Sequence, residues 1–276
     1  ATQQSTSVVG QRRMGKSSLL YHLAQHVEFP QDGRMALLHV DMHDARCHTA
    51  GDFFTRILAA LDAQSGHTFQ FGPVTTSAAF ANAMERLNQA GIHPVLLLDE
   101  FEEFAHHLDQ FNDEFFEQLR ALGQAGKVAF VTTSQRSLEE LTHQGNLTSP
   151  FYNIFVQADM GLLEPDAARQ LIREPLKREG QQPDKAAVDL ALELAGRHPF
   201  YLQMAGALIY DALEQGTVDP DAILRKFAAQ AESHFAGLWK HLNDAEWAAL
   251  DWVIHGTLSS PPPRLLRTLE RKGMIE

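Results

Sequence analysis

The chain has 276 residues, of which 44% are hydrophobic and 21% charged, with a formal net charge of −12. That is enough apolar material for a sizeable core and enough length for two or three packed units. The acidic balance argues against broad, sequence-independent attraction to DNA or to anionic membranes. The one cysteine, Cys47, excludes an intrachain disulfide and reads as a small residue in a reducing compartment. The opening residues "ATQQSTS" are polar and uncharged, unlike a secretory leader. No apolar run approaches the roughly 18 residues of a membrane span, and a cytoplasmic protein is the expectation.

Residues 7–9 form an apolar run ending at Gly10, the end of a strand. From Lys16, the residues Leu19, Leu20, Leu23 and Val27 share one helical face, and Pro30 and Gly33 close that helix. "MALLHVD" (35–41) is a continuous apolar run closed by an aspartate, as expected of a buried strand. Phe53, Phe54, Ile57, Leu58 and Leu61 mark an amphipathic helix, and Phe80, Met84 and Leu87 another. "PVLLLDE" (94–100) is the purest strand, followed by a helix carrying Phe111, Phe115, Phe116, Leu119 and Leu122. "VAFVTTS" (128–134) is a fourth strand, a short helix follows around 137–143, and "NIFVQA" (153–158) is a fifth strand. Strands alternating with helices predict a parallel sheet covered on both faces, an α/β fold.

Beyond about residue 160 the strand patterns stop. Helices are predicted over 165–178, 185–195, 199–214 and 220–234, and all three tryptophans, Trp239, Trp247 and Trp252, fall in the last forty residues. Tryptophans at helical spacing predict a core. The expected division is an α/β domain over 1–160, a helical lid over 161–234 and a smaller domain over 235–276 that closes on "RLLRTLERKGMIE".

Gly10–Ser17 reads G-Q-R-R-M-G-K-S, a full match to the phosphate-loop pattern. Such a loop wraps a phosphate with successive main-chain N–H groups, and its glycines permit the required dihedrals. The residues from Gly10 through Gln11, Arg12, Arg13, Met14, Gly15, Lys16, Ser17 and Ser18 are therefore expected to hold a nucleotide. The following helix aims its positive end at the same anion. Lys16 supplies a mobile charge for the β- and γ-phosphates, and Ser17 a hydroxyl for Mg²⁺.

The other half of such a site is a carboxylate at a strand tip, and "VLLLDEFEEF" provides two. Asp99 is expected to hold Mg²⁺ and Glu100 to orient and polarise the attacking water. Ligands bind at this edge of open α/β sheets. Glu102, Glu103, Asp109, Asp113, Glu114 and Glu117 follow and read as a solvated acidic helix face. His106 and His107 are adjacent and point apart on a helix, so a joint chelate is not expected. The next strand ends in Thr132, Thr133 and Ser134, a polar tip within reach of a γ-phosphate or a nucleophilic water. Arg136 just beyond is either a charge that senses the third phosphate or a surface arginine at a helix start.

The succession "GQRRMGKSSLL", "VLLLDEFEEF", "VAFVTTSQRSL" and "LAGRHPFYLQ" resembles the STAND class of P-loop ATPases within the wider AAA+-like group. The likeness spans nearly the whole chain and points to bacterial and archaeal ATPases whose lid carries a Gly-x-x-Pro turn. It implies a sheet ordered 5-1-4-3-2, a helical lid, and then a winged-helix domain, here incomplete near "SSPPP" (259–263). It also implies ATP or ADP with Mg²⁺ as ligands and a molecular switch that self-associates when opened by ATP. In that likeness Gly196 and Pro199 sit in the lid turn near the adenine or sugar, while His198 either approaches the phosphates or caps its helix. The choice of adenine over guanine comes from the likeness alone. Family members carry effector and sensor domains, so the chain is expected to be the core of a longer signalling or defence protein. The family often has arginine where this chain has Gln135, and a Gly-Arg element upstream of the phosphate loop that does not precede Gly10. An alternative is a DNA-handling ATPase of the origin-initiator or transposition-helper type, for which Arg264, Arg267, Arg271 and Lys272 are the available basic cluster. A third reading is a module that holds a nucleotide permanently without turnover.

Overall fold

The computed structural model describes residues 4–26, 34–145, 148–240, 242–256 and 260–275. Val27, Pro30 and Gly33, expected to close the first helix, lie outside the described residues, as do the side chains of His26, Arg34 and Arg271. By contacts the chain divides into two units, Ala1–Gly10 with Lys16–Met160, and Gln11–Gly15 with Gly161–Glu276.

The first unit is built on five strands, β1 (Ser5–Val9), β2 (Arg34–Asp41), β3 (Ile92–Asp99), β4 (Ala129–Ser134) and β5 (Phe155–Asp159). They form one sheet in the order β2-β3-β4-β1-β5, and every pairing is parallel. This is the expected α/β architecture and the expected order. Its helices are α1 (Lys16–His26), α2 (Ala50–Gln64), α3 (Ser77–Gln89), α4 (Asp113–Gln124) and α5 (Leu138–Gln144).

The run Val95–Leu98 is apolar at every position because both of its faces are buried. Leu96 and Leu98 point into a phenylalanine-rich core with Phe53, Phe80 and Phe130, whereas Val95 and Leu97 pack with Leu20 of α1. Helix starts are set by side-chain caps: Thr49, Thr76, Asn112 and Ser137 each accept a main-chain N–H from the first turn. Because β4 lies between β1 and β3, the segment after β1 and the carboxylates after β3 flank the polar tip of β4. The register pairs Val8 with Thr133 and Leu98 with Thr132, so the three ends finish level.

One expectation fails here. The helix after β3 does not begin at once; a 3₁₀ turn, Phe101–His106, intervenes. Phe101 and Phe104, i and i+3 on that turn, share one face, and both rings are buried.

The second unit is helical: α6 (Pro165–Arg178), α7 (Lys185–Ala195), α8 (Pro199–Glu214), α9 (Pro220–Trp239), α10 (Asp244–His255) and α11 (Pro263–Arg271). Proline opens α6, α8, α9 and α11, where its missing N–H costs nothing. Ile172, Val188, Leu202, Ile209 and Phe227 form the core of α6–α9, with Ala191, Ala205 and Ala231 allowing close approach. Ala249, Leu250 and Leu269 join α10 to α11. The tryptophans depart from the expected core. Trp239 and Trp247 remain 46% and 38% exposed and pack edge to face on each other, centroids 5.2 Å apart. Trp239 ends α9, five residues beyond the predicted stop, so its neighbour is Trp247 of α10 rather than the helical core. No helix among the described residues is long and apolar enough to cross a membrane.

Candidate nucleotide site

Gly10 is required by space. It sits between β4 and β5, with its N–H donating to Ser134 O at 3.1 Å, and a Cβ there would stand 2.7 Å from the Met160 carbonyl oxygen. The expectation that both loop glycines serve dihedral freedom therefore holds only for Gly15, at φ 95°. Arg13 also adopts a left-handed conformation, φ 67°. Two such residues in one short turn fold the backbone into the kind of concavity that favours anions. Residues Gln11–Gly15 group with the second unit, and within it the Arg13 guanidinium lies 4.4 Å from the Phe200 ring centroid and bonds to the His234 ring. Met14 is buried and Arg12 exposed.

Lys16 opens α1 and is only 5% exposed. Its Nζ donates to Gly10 O at 2.9 Å, so the ammonium reaches back across its own loop. Ser17, at the start of α1, lines the same cleft as Asp99 at the tip of β3 and helps keep its carboxyl ionised. Thr133 on β4 donates from Oγ1 to Asp99 Oδ1 and accepts the Glu100 N–H at 3.1 Å. His39 on β2 places Nε2 3.7 Å from Asp99 Oδ2. A cleft of about 560 Å³ opens beside these groups, lined by Ser17, Ser18, Tyr21, His39, Asp41, His43, Asp99 and Glu100.

The electrostatics separate the two acids. Burial works against the charge on Asp99, but His39, Thr133 and Ser17 together outweigh it and hold the carboxyl at about 2. Glu100 moves the opposite way: burial raises its pKa, the charge of Glu102 adds to that, and Lys16 opposes it. Adjacent residues are thus divided into a firm anion suited to a cation and a carboxyl of raised basicity suited to taking a proton. Glu100 sits at φ 53°, ψ 53°, a left-handed conformation unusual outside glycine, where the strand gives way to the 3₁₀ turn.

A pH prediction follows from Asp99. Its folded pKa lies below the ordinary 3.8, so its contribution to stability is complete above that value and is lost as pH falls through about 2. In chemical denaturation at pH 5 and pH 2, the loss should exceed that of Asp99→Asn by about 2 kcal/mol. Parallel curves for the two proteins would contradict the assigned environment.

Arg136 is exposed, and its guanidinium bonds Gln144 of α5 rather than joining the cluster at Asp99. Gly196 and Pro199 belong to the second unit, where Gly196 ends α7 at φ 57° and Pro199 opens α8. His198 is buried, its Nδ1 has no partner among the described residues, and burial with the nearby Arg13 charge lowers its pKa to about 4. The reading of 102–117 as a solvated acidic helix face is also corrected. Glu102 accepts from Gln135, Glu103 pairs with His43 and His106, and Asp113 accepts from Thr148 and Ser149. These acids hold the 3₁₀ turn and the loop before β5. His106 and His107 do part, His107 stacking on His48 at 4.4 Å. His39 was not foreseen; its signal was parity, since it lies two before Asp41, which pairs in register with Asp99.

A five-stranded parallel sheet in this order, with the phosphate-loop motif after β1 and paired acids after β3, defines a P-loop ATPase fold of the AAA-like type. The chain belongs to the STAND NTPases: the family model described as Novel STAND NTPase 2 matches residues 78–259, and one described as AAA domain matches residues 1–142. Among solved structures it is similar to a Walker-type ATPase of Pyrococcus abyssi, with TM-score 0.60, 16% identity, and coverage of 97% of this chain and 84% of that one. It is likewise similar to the ORC2 protein of Aeropyrum pernix in its ADPNP–ADP complexes, with TM-score 0.61, 12% identity, and coverage of 99% and 81%. Identities this low speak for the fold alone. No curated protein matches the chain.

Proposed function

We propose that this chain binds Mg-ATP and hydrolyses it slowly, acting as a switch that self-associates in its ATP form. The observation that carries the reading is that Ser17 and Asp99 line one cleft. It joins the phosphate loop to the acid of β3, the two protein groups from which a Mg²⁺–phosphate site is built. Among the described residues no group of three or more His, Cys, Asp or Glu is placed to hold a metal on its own. That suits Mg²⁺, which is bound through few protein oxygens together with substrate phosphates and water. Ser17 and Asp99 would hold the magnesium, which would neutralise charge on the phosphates.

In this reading Gly10–Ser18 cradle the phosphates and Lys16 balances their charge. Ser17 and Asp99 hold Mg²⁺, and Glu100 accepts the proton of the attacking water. Family likeness assigns Gly196 and Pro199 to the adenine or sugar side, has His198 either approach the phosphates or cap its helix, and leaves to Arg136, or to an arginine of another copy, the sensing of the third phosphate. The same likeness supplies the lid over 161–234, a winged-helix character for 235–276, and effector and sensor partners, while the single cysteine fits a cytoplasmic setting. Binding to DNA finds little support: Lys272 donates to Glu246 at 2.6 Å, and the net charge is −12.

The test is molecular mass by light scattering with Mg-ADP and with a slowly hydrolysed Mg-ATP analogue, alongside phosphate release from Mg-ATP. A higher mass with the analogue and slow release are expected. An unchanged mass would remove the assembly half of the proposal, and absent release the hydrolytic half.

A further inference from the structure

We infer that Glu102, clamped by Gln135, is a positioning residue for Glu100, and that the tip of β4 thereby fixes at two points the turn that carries the hydrolytic carboxyl. This rests on the reading of Glu100 given above. Gln135 directly follows β4. Its main-chain N–H and its side-chain Nε2 both donate to Glu102 Oε1, at 3.3 and 2.8 Å. The other carboxyl oxygen, Oε2, is buried and has no partner among the described residues. Glu102 lies two residues beyond Glu100, in the 3₁₀ turn that Glu100 opens.

The two Gln135 bonds tie the turn to the strand end at Glu102. The Glu100 main chain needs support as well, because its left-handed conformation is strained outside glycine. Thr133 provides this, accepting the Glu100 N–H at 3.1 Å while its hydroxyl holds Asp99. Thr133 and Gln135 are two residues apart on one strand end. One grips the Glu100 backbone and the other, through Glu102, the turn two residues further on. A shift of the β4 tip therefore moves Glu100, and without Glu102 the turn that carries it loses its second anchor.

The experiment measures steady-state phosphate release and, separately, Mg-ATP affinity by calorimetry. It uses the full chain as wild type, Glu102→Ala, Glu102→Gln and Gln135→Ala, each checked by thermal melting. Glu102→Ala and Gln135→Ala should lower kcat at least roughly tenfold while nucleotide Kd stays within about twofold, since a displaced reacting group costs rate rather than binding. Glu102→Gln still accepts from Gln135, and should return most of the lost kcat. Should Glu102→Ala not fold, Gln135→Ala and Glu102→Gln decide. Wild-type kcat in Gln135→Ala, increased kcat in either alanine variant, or a fall in kcat matched by a fall in affinity overturns the inference while leaving Glu100 in its role. A wild-type chain that binds Mg-ATP and releases no phosphate overturns the reading of Glu100, and the inference with it.

Discussion

Lys16→Ala should abolish measurable nucleotide binding. The ammonium is buried, starts α1, and lies across the loop on the Gly10 carbonyl. Truncation removes the buried lysine cation of the Gly10–Ser17 motif and leaves a polyanion facing Asp99 and Glu100 with less to balance it. Losing one partner of a desolvated charge pair costs about 2–5 kcal/mol, so the affinity should fall by at least about thirtyfold. The Gly10 carbonyl also loses a donor, which costs about 1–3 kcal/mol of fold stability when the group stays dry. Lys16→Met, which keeps the apolar stem but not the donor, removes only the packing loss of the alanine variant: it should melt above Lys16→Ala and still not bind. Calorimetry that returned wild-type affinity for a folded Lys16→Met protein would place the phosphates somewhere other than this loop.

Glu100→Gln should do the reverse, leaving binding intact and stopping turnover. The amide is nearly isosteric but cannot take a proton, and removing a positioned general base costs about 10²–10⁴ in rate. Binding should be equal or tighter, because the substitution removes a negative charge from beside Asp99 and the incoming phosphates. The charge interactions give a second readout. Glu100 is pushed toward its neutral form by burial and by Glu102, so a permanently neutral amide relieves that repulsion and should raise the melting temperature at neutral pH. Phosphate release at the wild-type rate from Glu100→Gln would remove Glu100 from the chemistry.

Much of this was legible in the sequence because its period changes where the structure changes. The continuous apolar run of β3 can be buried only with helices on both faces, and its closing Asp99-Glu100 marks the sheet edge where ligands bind. The phosphate-loop pattern carried its own geometry. What stayed hidden depended on neighbours far apart in the chain. Gly10 looked like a dihedral requirement, whereas its constraint is the Met160 carbonyl, 150 residues away in the sequence. Glu102 looked like one acid in a solvated series, because nothing local announces that the turn after β3 is 3₁₀ and delivers it to Gln135. The tryptophans looked like core because periodicity reports a shared face and not what covers it. Arg136 follows the same logic: a strand end places the residue, and only side-chain packing shows that it turns to Gln144.

The central claim is that the loop after β1 and the acid after β3 together make one Mg-nucleotide site. Calorimetric titration of the full chain with ATP, in magnesium and then in excess chelator, tests it most directly. The account predicts saturable heat for one nucleotide per chain with magnesium, affinity at least roughly tenfold weaker without it, and loss of that magnesium dependence in Asp99→Asn. No heat in magnesium, or identical curves with and without the metal, would contradict it.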